Sequence, residues 1–235
     1  MGTITREQPT WLSGLLQTSD ALFPTGAYAH SFGFEECVRM GIVRDEASLR
    51  QFLITTVLPA QRQQELPYLR YAREAAATGD LTELRALDNE ISAWKLAEES
   101  RLASAQLGQR RLRALCIISA ATLLSEVSEA ADAGLLAPHH LIVCGVQAAV
   151  EQIPLGAALG TYFYQAVAAI CAAALKLIRI GQEGVQRVLR TVTLLGAEAV
   201  RASLKIERED AGWFNPLLEI ASMRHARADE RLFIS

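Results

Sequence analysis

The sequence predicts an all-α fold, a single domain built as a bundle of about nine or ten helices around a central apolar helix. Three observations lead there. Apolar residues recur at three- and four-residue intervals along most of the chain, no clear alternating run is bounded by hairpin turns, and no Ser/Pro/Gly-rich linker divides the 235 residues. A chain of this length buries most of its apolar surface in one core, without metal or disulfides to support it.

The first ten residues, Met1 to Thr10, hold Arg6, Glu7 and Pro9 and no apolar stretch of the secretory kind. They are expected to be a flexible segment ahead of the domain. From Leu22 to Glu35 the chain reads LFPTGAYAHSFGFE, with Phe23, Tyr28, Phe32 and Phe34 threaded through Pro24, Gly26 and Gly33. This composition suits a shaped loop better than a bundle helix. Leu49, Phe52, Leu53, Thr56 and Val57 then fall on one helical face, as do Leu81, Leu84, Leu87, Ile91 and Trp94. Asp80 and Glu83 precede the second stripe at capping-box spacing. A further helix is expected from near Leu96, with Arg110, Arg111 and Arg113 on its solvated edge.

Pro138, Pro154 and Pro216 each stand ahead of an apolar run, where a proline costs little backbone hydrogen bonding. From Ile153 to Leu175 there is no charge, a length that would span a bilayer. Its alanines, Pro154 and the interruptions Gly156, Gly160, Thr161 and Gln165 instead favour the buried helix of the fold or a dimer core. Val185, Val188, Leu189, Val192, Leu195 and Ala199 mark another amphipathic helix, and Asn215 is placed to cap a helix from Pro216. The tail, about 222–235, ends in Leu232, Phe233 and Ile234. An apolar triplet at that place is expected to dock on the domain or on a partner.

Composition excludes several functions. Net charge is −3 and the pI about 5.9, so no basic field is available for nucleic acid. Cys37, Cys116, Cys144 and Cys171 are widely spaced and form no C-x-x-C pair, as expected of buried thiols in the cytoplasm. No phosphate loop of the G-x-x-x-x-G-K-[ST] type occurs. Asp20, His30 and Ser31 contain the residue types of a hydrolase triad, but not the nucleophile elbow such a serine sits on. His30 or His225 as a general acid/base in a small helical enzyme is the alternative from catalysis. His139, His140 and Cys144 are the metal candidates, with the spacing of a metal-binding chaperone for the last two but no further carboxylate. The plainer reading makes the two histidines helix-start residues and Cys144 core.

Four ordered segments resemble the urease accessory proteins of the UreF family. They are Leu16 to Asp20 with Phe23 to Tyr28 and His30 to Glu35; Glu99 to Arg101 with Ala103, Ser104, Gln106 and Gly108 to Leu112; Lys176 to Gln182; and Ala221 to His225 with Arg231 to Phe233 and Ser235. The resemblance implies a helical, homodimeric, non-enzymatic adaptor with neither membrane nor nucleic-acid partners. It bridges UreD (also called UreH) and the GTPase UreG on apo-urease during nickel insertion, with nickel and GTP handled by those partners. It further implies partner contacts through Phe23, Tyr28, His30, Phe32, Glu35, Lys176, Arg179, Gln182, Arg224, His225, Arg231, Leu232 and Phe233. The N-terminal segment and the C-terminal tail are expected to contact UreD and to become ordered as they do so.

Overall fold

The computed structural model describes residues 10–235, so all of the expected flexible N-terminal segment except Thr10 lies outside the described residues. Within them are ten helices and no strand: α1 (Thr10–Ser19), α2 (Phe34–Arg39), α3 (46–77), α4 (Leu81–Trp94), α5 (Glu98–Ile118), α6 (Thr122–Asp132), α7 (His140–Val150), α8 (Leu155–Leu177), α9 (Gln182–Ser203) and α10 (Pro216–His225).

Helix α3 carries the first predicted stripe inward: Leu49, Phe52, Leu53, Thr56 and Val57 are all buried. It is not regular throughout. Two π-helical turns, Leu53–Val57 and Gln61–Glu65, end just before Pro59 and Pro67. Proline removes a backbone donor and its ring crowds the carbonyl four residues earlier, and a widened turn absorbs that strain. The Gln63 carbonyl, four residues before Pro67, is taken up by the Gly212 amide at 3.0 Å. The irregularity therefore ties the 204–215 loop to the helix.

The centre of the bundle is α7, whose Leu141, Ile142, Val143, Val146 and Ala148 are buried. It packs most closely on the second half of α3 and on α5. Gly145 permits this approach, since a Cβ there would lie 2.5 Å from Ala72 Cβ and 2.9 Å from the Arg73 backbone nitrogen. The uncharged segment expected at the centre forms α8, which pairs with α9 nearer the surface. Only 39% of the residues in its most apolar stretch are buried. It is long and apolar enough to cross a membrane, and packing places it as a half-covered helix of the bundle.

Two local expectations change. Asp80 accepts the Glu83 amide at 2.9 Å, but the Glu83 carboxylate turns to Arg208 instead of closing a capping box. Helix α5 starts at Glu98, and Arg111 is 5% exposed rather than solvated. Its guanidinium donates to Gln147 Oε1 at 3.0 and 2.6 Å and to the Thr18 carbonyl at 3.3 Å, with its carbon 5.4 Å from the Phe23 ring centroid. Gln147 Nε2 in turn donates to Thr18 Oγ1 at 2.8 Å and to Glu151. A buried charge survives where its donors are met, and this one fastens α1 and the loop to α7. Asn215 caps α10 as expected, accepting from the Leu218 amide.

Candidate partner-binding site

Loop, tail and α10 meet at one end of the bundle. Asp20 turns the chain after α1, its side chain accepting the Leu22 amide at 2.8 Å. A 3-10 turn over Ala27–Ala29 leads into Phe32 and Gly33, at φ 53° and 82°. Gly33 is needed twice: the left-handed backbone suits it, and a Cβ would sit 2.7 Å from Ser222 Oγ of α10. The Ser31 and Phe32 amides both donate to the Ser235 carbonyl, Phe32 at 3.0 Å. The Ile234 amide donates to the Ala29 carbonyl at 2.8 Å, and His30 Nδ1 lies 2.7 Å from Ser235 Oγ.

Beneath this backbone pairing is a charged layer. Glu35, 3% exposed, accepts the Leu232 amide at 2.9 Å and the Phe233 amide at 3.0 Å. Its other neighbours are His225 Nε2 at 3.1 Å and Arg39 at 3.2 Å. His225 is wholly buried, and its Nδ1 is 3.0 Å from Glu99, which also receives Arg231 at 3.1 Å. Arg224 reaches Glu36 at 2.8 Å. Burial pushes the Glu35 carboxyl upward, but the two tail amides and His225 outweigh it and hold Glu35 below the usual carboxylate range. Phe233 is buried in the main core, with Lys176 Nζ 5.2 Å above its ring.

Eleven of the thirteen expected contact residues therefore belong to one assembly, its immediate support or its outward face; the exceptions are Arg179 and Gln182. Their roles differ from expectation. Phe23, His30, Glu35, His225 and Phe233 are buried, so they hold the site's shape and present no side chain to a partner. The outward apolar residues are Tyr28 at 76% exposure, Leu232 at 60% and Ile234 of the apolar triplet at 57%, and Lys176, Arg224 and Arg231 are exposed as well. The tail is also already docked on the isolated chain, contrary to the expectation that it orders on binding. Arg179 and Gln182 are exposed, and no hydrogen bond or ion pair among the described residues joins them to the tail. Glu99 entered the sequence reading only as part of the Glu99 to Arg101 segment; its position opposite His225 needed the packing of α10 on α5.

The other constellations do not assemble. His30 faces Ser235 and not Ser31, and Asp20 is occupied in its turn, so no hydrolase triad forms. His225 and His30 are 0% and 2% exposed, and neither lines either of the two described cavities. His139 lies between Ser92 Oγ at 2.8 Å and Ser104 Oγ at 3.1 Å, whereas His140 turns toward Tyr162 with Cys144 Sγ at 3.6 Å. The two rings diverge, and no group of three or more His, Cys, Asp or Glu among the described residues is arranged for a metal ion. Burial holds His140 down at about 3 and pushes the Cys144 thiol up, which keeps both neutral.

A family model described as UreF matches residues 43–193. The chain belongs to the UreF family. A urease accessory protein UreF of Paenarthrobacter aurescens is 34% identical over 231 residues, covering 96% of this chain and 99% of the relative. One from an Arthrobacter species is 33% identical, covering 94% and 96%, and UreF 1 of Brucella melitensis 27%, covering 94% and 91%. The chain is thus a urease accessory protein. The UreF model match stops short of both the 22–35 loop and the tail, and the full-length relatives cover them.

Proposed function

We propose that this UreF-family chain is a cytoplasmic adaptor of urease maturation: it presents its loop–tail surface to UreD/UreH, pairs with a second copy of itself, and so helps recruit UreG to apo-urease for nickel insertion. Nickel and GTP stay with the partners. The observation that carries the reading is the division of labour at the loop–tail site. Buried Phe233, His225 and Glu35 fix a backbone from which Tyr28, Leu232 and Ile234 project into solvent. Exposed apolar side chains on a rigid, internally bonded support are the form of an interface anchor, because little conformational entropy remains to be lost on binding. Pairing between copies is supported at the α8–α9 face. A groove of about 380 Å³ runs there past Gly156, Gly160 and Tyr164 on α8 and Thr193 and Gly196 on α9, with Leu194 exposed beside it.

Deleting the tail is a poor test, since Phe233 belongs to the core. The double substitution Leu232→Asp with Ile234→Asp changes only exposed side chains. It should abolish co-purification with UreD and urease activation in co-expression while helical circular dichroism and Tm stay at the wild-type values. Full UreD binding by that variant would refute the surface assignment.

A further inference from the structure

The loop that leads to Tyr28 begins as an arch over α5. Two consecutive arginines of that helix hold its feet: Arg111 donates to the Thr18 carbonyl at 3.3 Å and Arg110 to the Thr25 carbonyl at 3.4 Å. Leu22, midway between the feet in sequence, is 92% exposed, the highest value of any large apolar side chain among the described residues. The second highest, Ile117 at 84%, lies on α5 itself, and neither belongs to the core. One and two turns before Ile117 on the outward face of α5 stand Arg113 and Arg110, both exposed. From Leu102 to Ile118 the helix carries no carboxylate, and no ion pair among the described residues engages either arginine. Asp20, the one carboxylate of the arch, accepts the Leu22 amide. The chain as a whole is net negative at −3, so a basic spot here does not follow from composition.

We propose that Leu22, Arg110, Arg113 and Ile117 form a second docking face, which receives an acidic, apolar-flanked segment of the same partner that the loop–tail surface receives. A carboxylate of that segment settles on the two arginines, and its apolar side chains cover Leu22 and Ile117. Charge complementarity sets the sign of the occupant, since unpaired guanidinium groups beside uncovered apolar side chains match carboxylates set among apolar groups. Continuity picks the partner. The arch and Tyr28 belong to one loop, and Arg110 packs beneath it so closely that a Cβ on Gly26 would lie 2.5 Å from its Nη1. A protein seated on Tyr28, Leu232 and Ile234 is therefore within reach of α5. The inference rests on the reading of the loop–tail surface as the UreD site.

Charge and apolar contact separate kinetically: an exposed charge steers encounter and loses its force in salt, whereas an apolar anchor slows dissociation. The test is real-time binding of the full chain to immobilised UreD in about 50 mM and about 500 mM NaCl. Arg113→Glu should slow association about tenfold in low salt and less than about twofold in high salt. Ile117→Ser should speed dissociation about tenfold at both. Arg62→Glu makes the same charge change at an exposed position of α3 and should bind as the unaltered chain does. All three side chains are exposed, so helical circular dichroism and Tm should stay at the wild-type values. Rates for Arg113→Glu that match those of Arg62→Glu, or association that speeds up, overturn the proposal and leave the loop–tail reading to its own Leu232 and Ile234 test. No binding by the unaltered chain overturns both. Capture of the chain by phosphatidylserine vesicles, abolished in Arg113→Glu, would assign the face to an anionic lipid surface and overturn the proposal as well.

Discussion

At the scale of single residues, the polar groups that look most like chemistry are here structural. Arg111 was expected in solvent and instead carries a charge into the core, where Gln147 and the Thr18 carbonyl receive it. His139 was weighed as a ligand and proves to be a strut, its two nitrogens occupied by Ser92 and Ser104 while its amide donates to Asp88 at 3.0 Å. Burial, helped by Lys95 and Arg101, lowers His139 to about 4 from the usual 6.5. An unfolded chain takes up this proton near 6.5 and the folded one resists until about 4. The native state is therefore favoured fully above 6.5 and loses stability as pH falls through that window. The whole window amounts to about 3 kcal/mol at 1.36 kcal/mol per pH unit. In His139→Gln the difference in unfolding free energy between about pH 7.5 and about pH 4.5, from urea titrations, should shrink by about 2 kcal/mol.

At the scale of elements, periodicity located helices well because each buries one face, and the stripes at 49–57 and 84–91 are inside as their spacing requires. It could not rank them. Helix α7 is short but takes the centre because Gly145 lets it close on α3, while the longer α8, uncharged as far as Leu175, does not. Gly145→Ala tests this. Alanine gains helix propensity of about 1 kcal/mol, yet its methyl meets backbone as well as the Ala72 side chain, and neither can swing away. The expected net loss is about 2 kcal/mol, read as a Tm lower by about 5 °C with the helical spectrum retained. The π-turns of α3 follow the same logic: each prepares for a proline, and the freed Gln63 carbonyl finds its partner in a loop 149 residues away in sequence.

At the scale of the whole molecule, the loop–tail end and the α8–α9 face are two of the places where large apolar side chains are exposed, alongside Ile117 at the end of α5 and Phe214 in the 204–215 loop. A chain that keeps Tyr164 at 49% and Leu194 at 61% exposure beside a groove has surface to cover. The proposed pairing predicts that Tyr164→Asp with Leu194→Asp sediments as a monomer where the unaltered chain sediments as a dimer, with the loop–tail site and its proposed UreD contact unchanged. Retention of the dimer by that variant would move the pairing surface elsewhere.

The sequence by itself determined the helical class, the helix starts at Asp80 and Asn215, and the family, because these depend on local spacing, capping chemistry and residue order. It also singled out the loop and the tail, since aromatics among glycines and an apolar triplet after α10 are unusual wherever they occur. Only the tertiary structure decided which of their side chains face outward. Glu35 and Leu232 are 197 residues apart, and Glu99 and His225 126 apart. Whether a histidine there is a ligand, a base or a clamp depends on what packing brings to its two nitrogens.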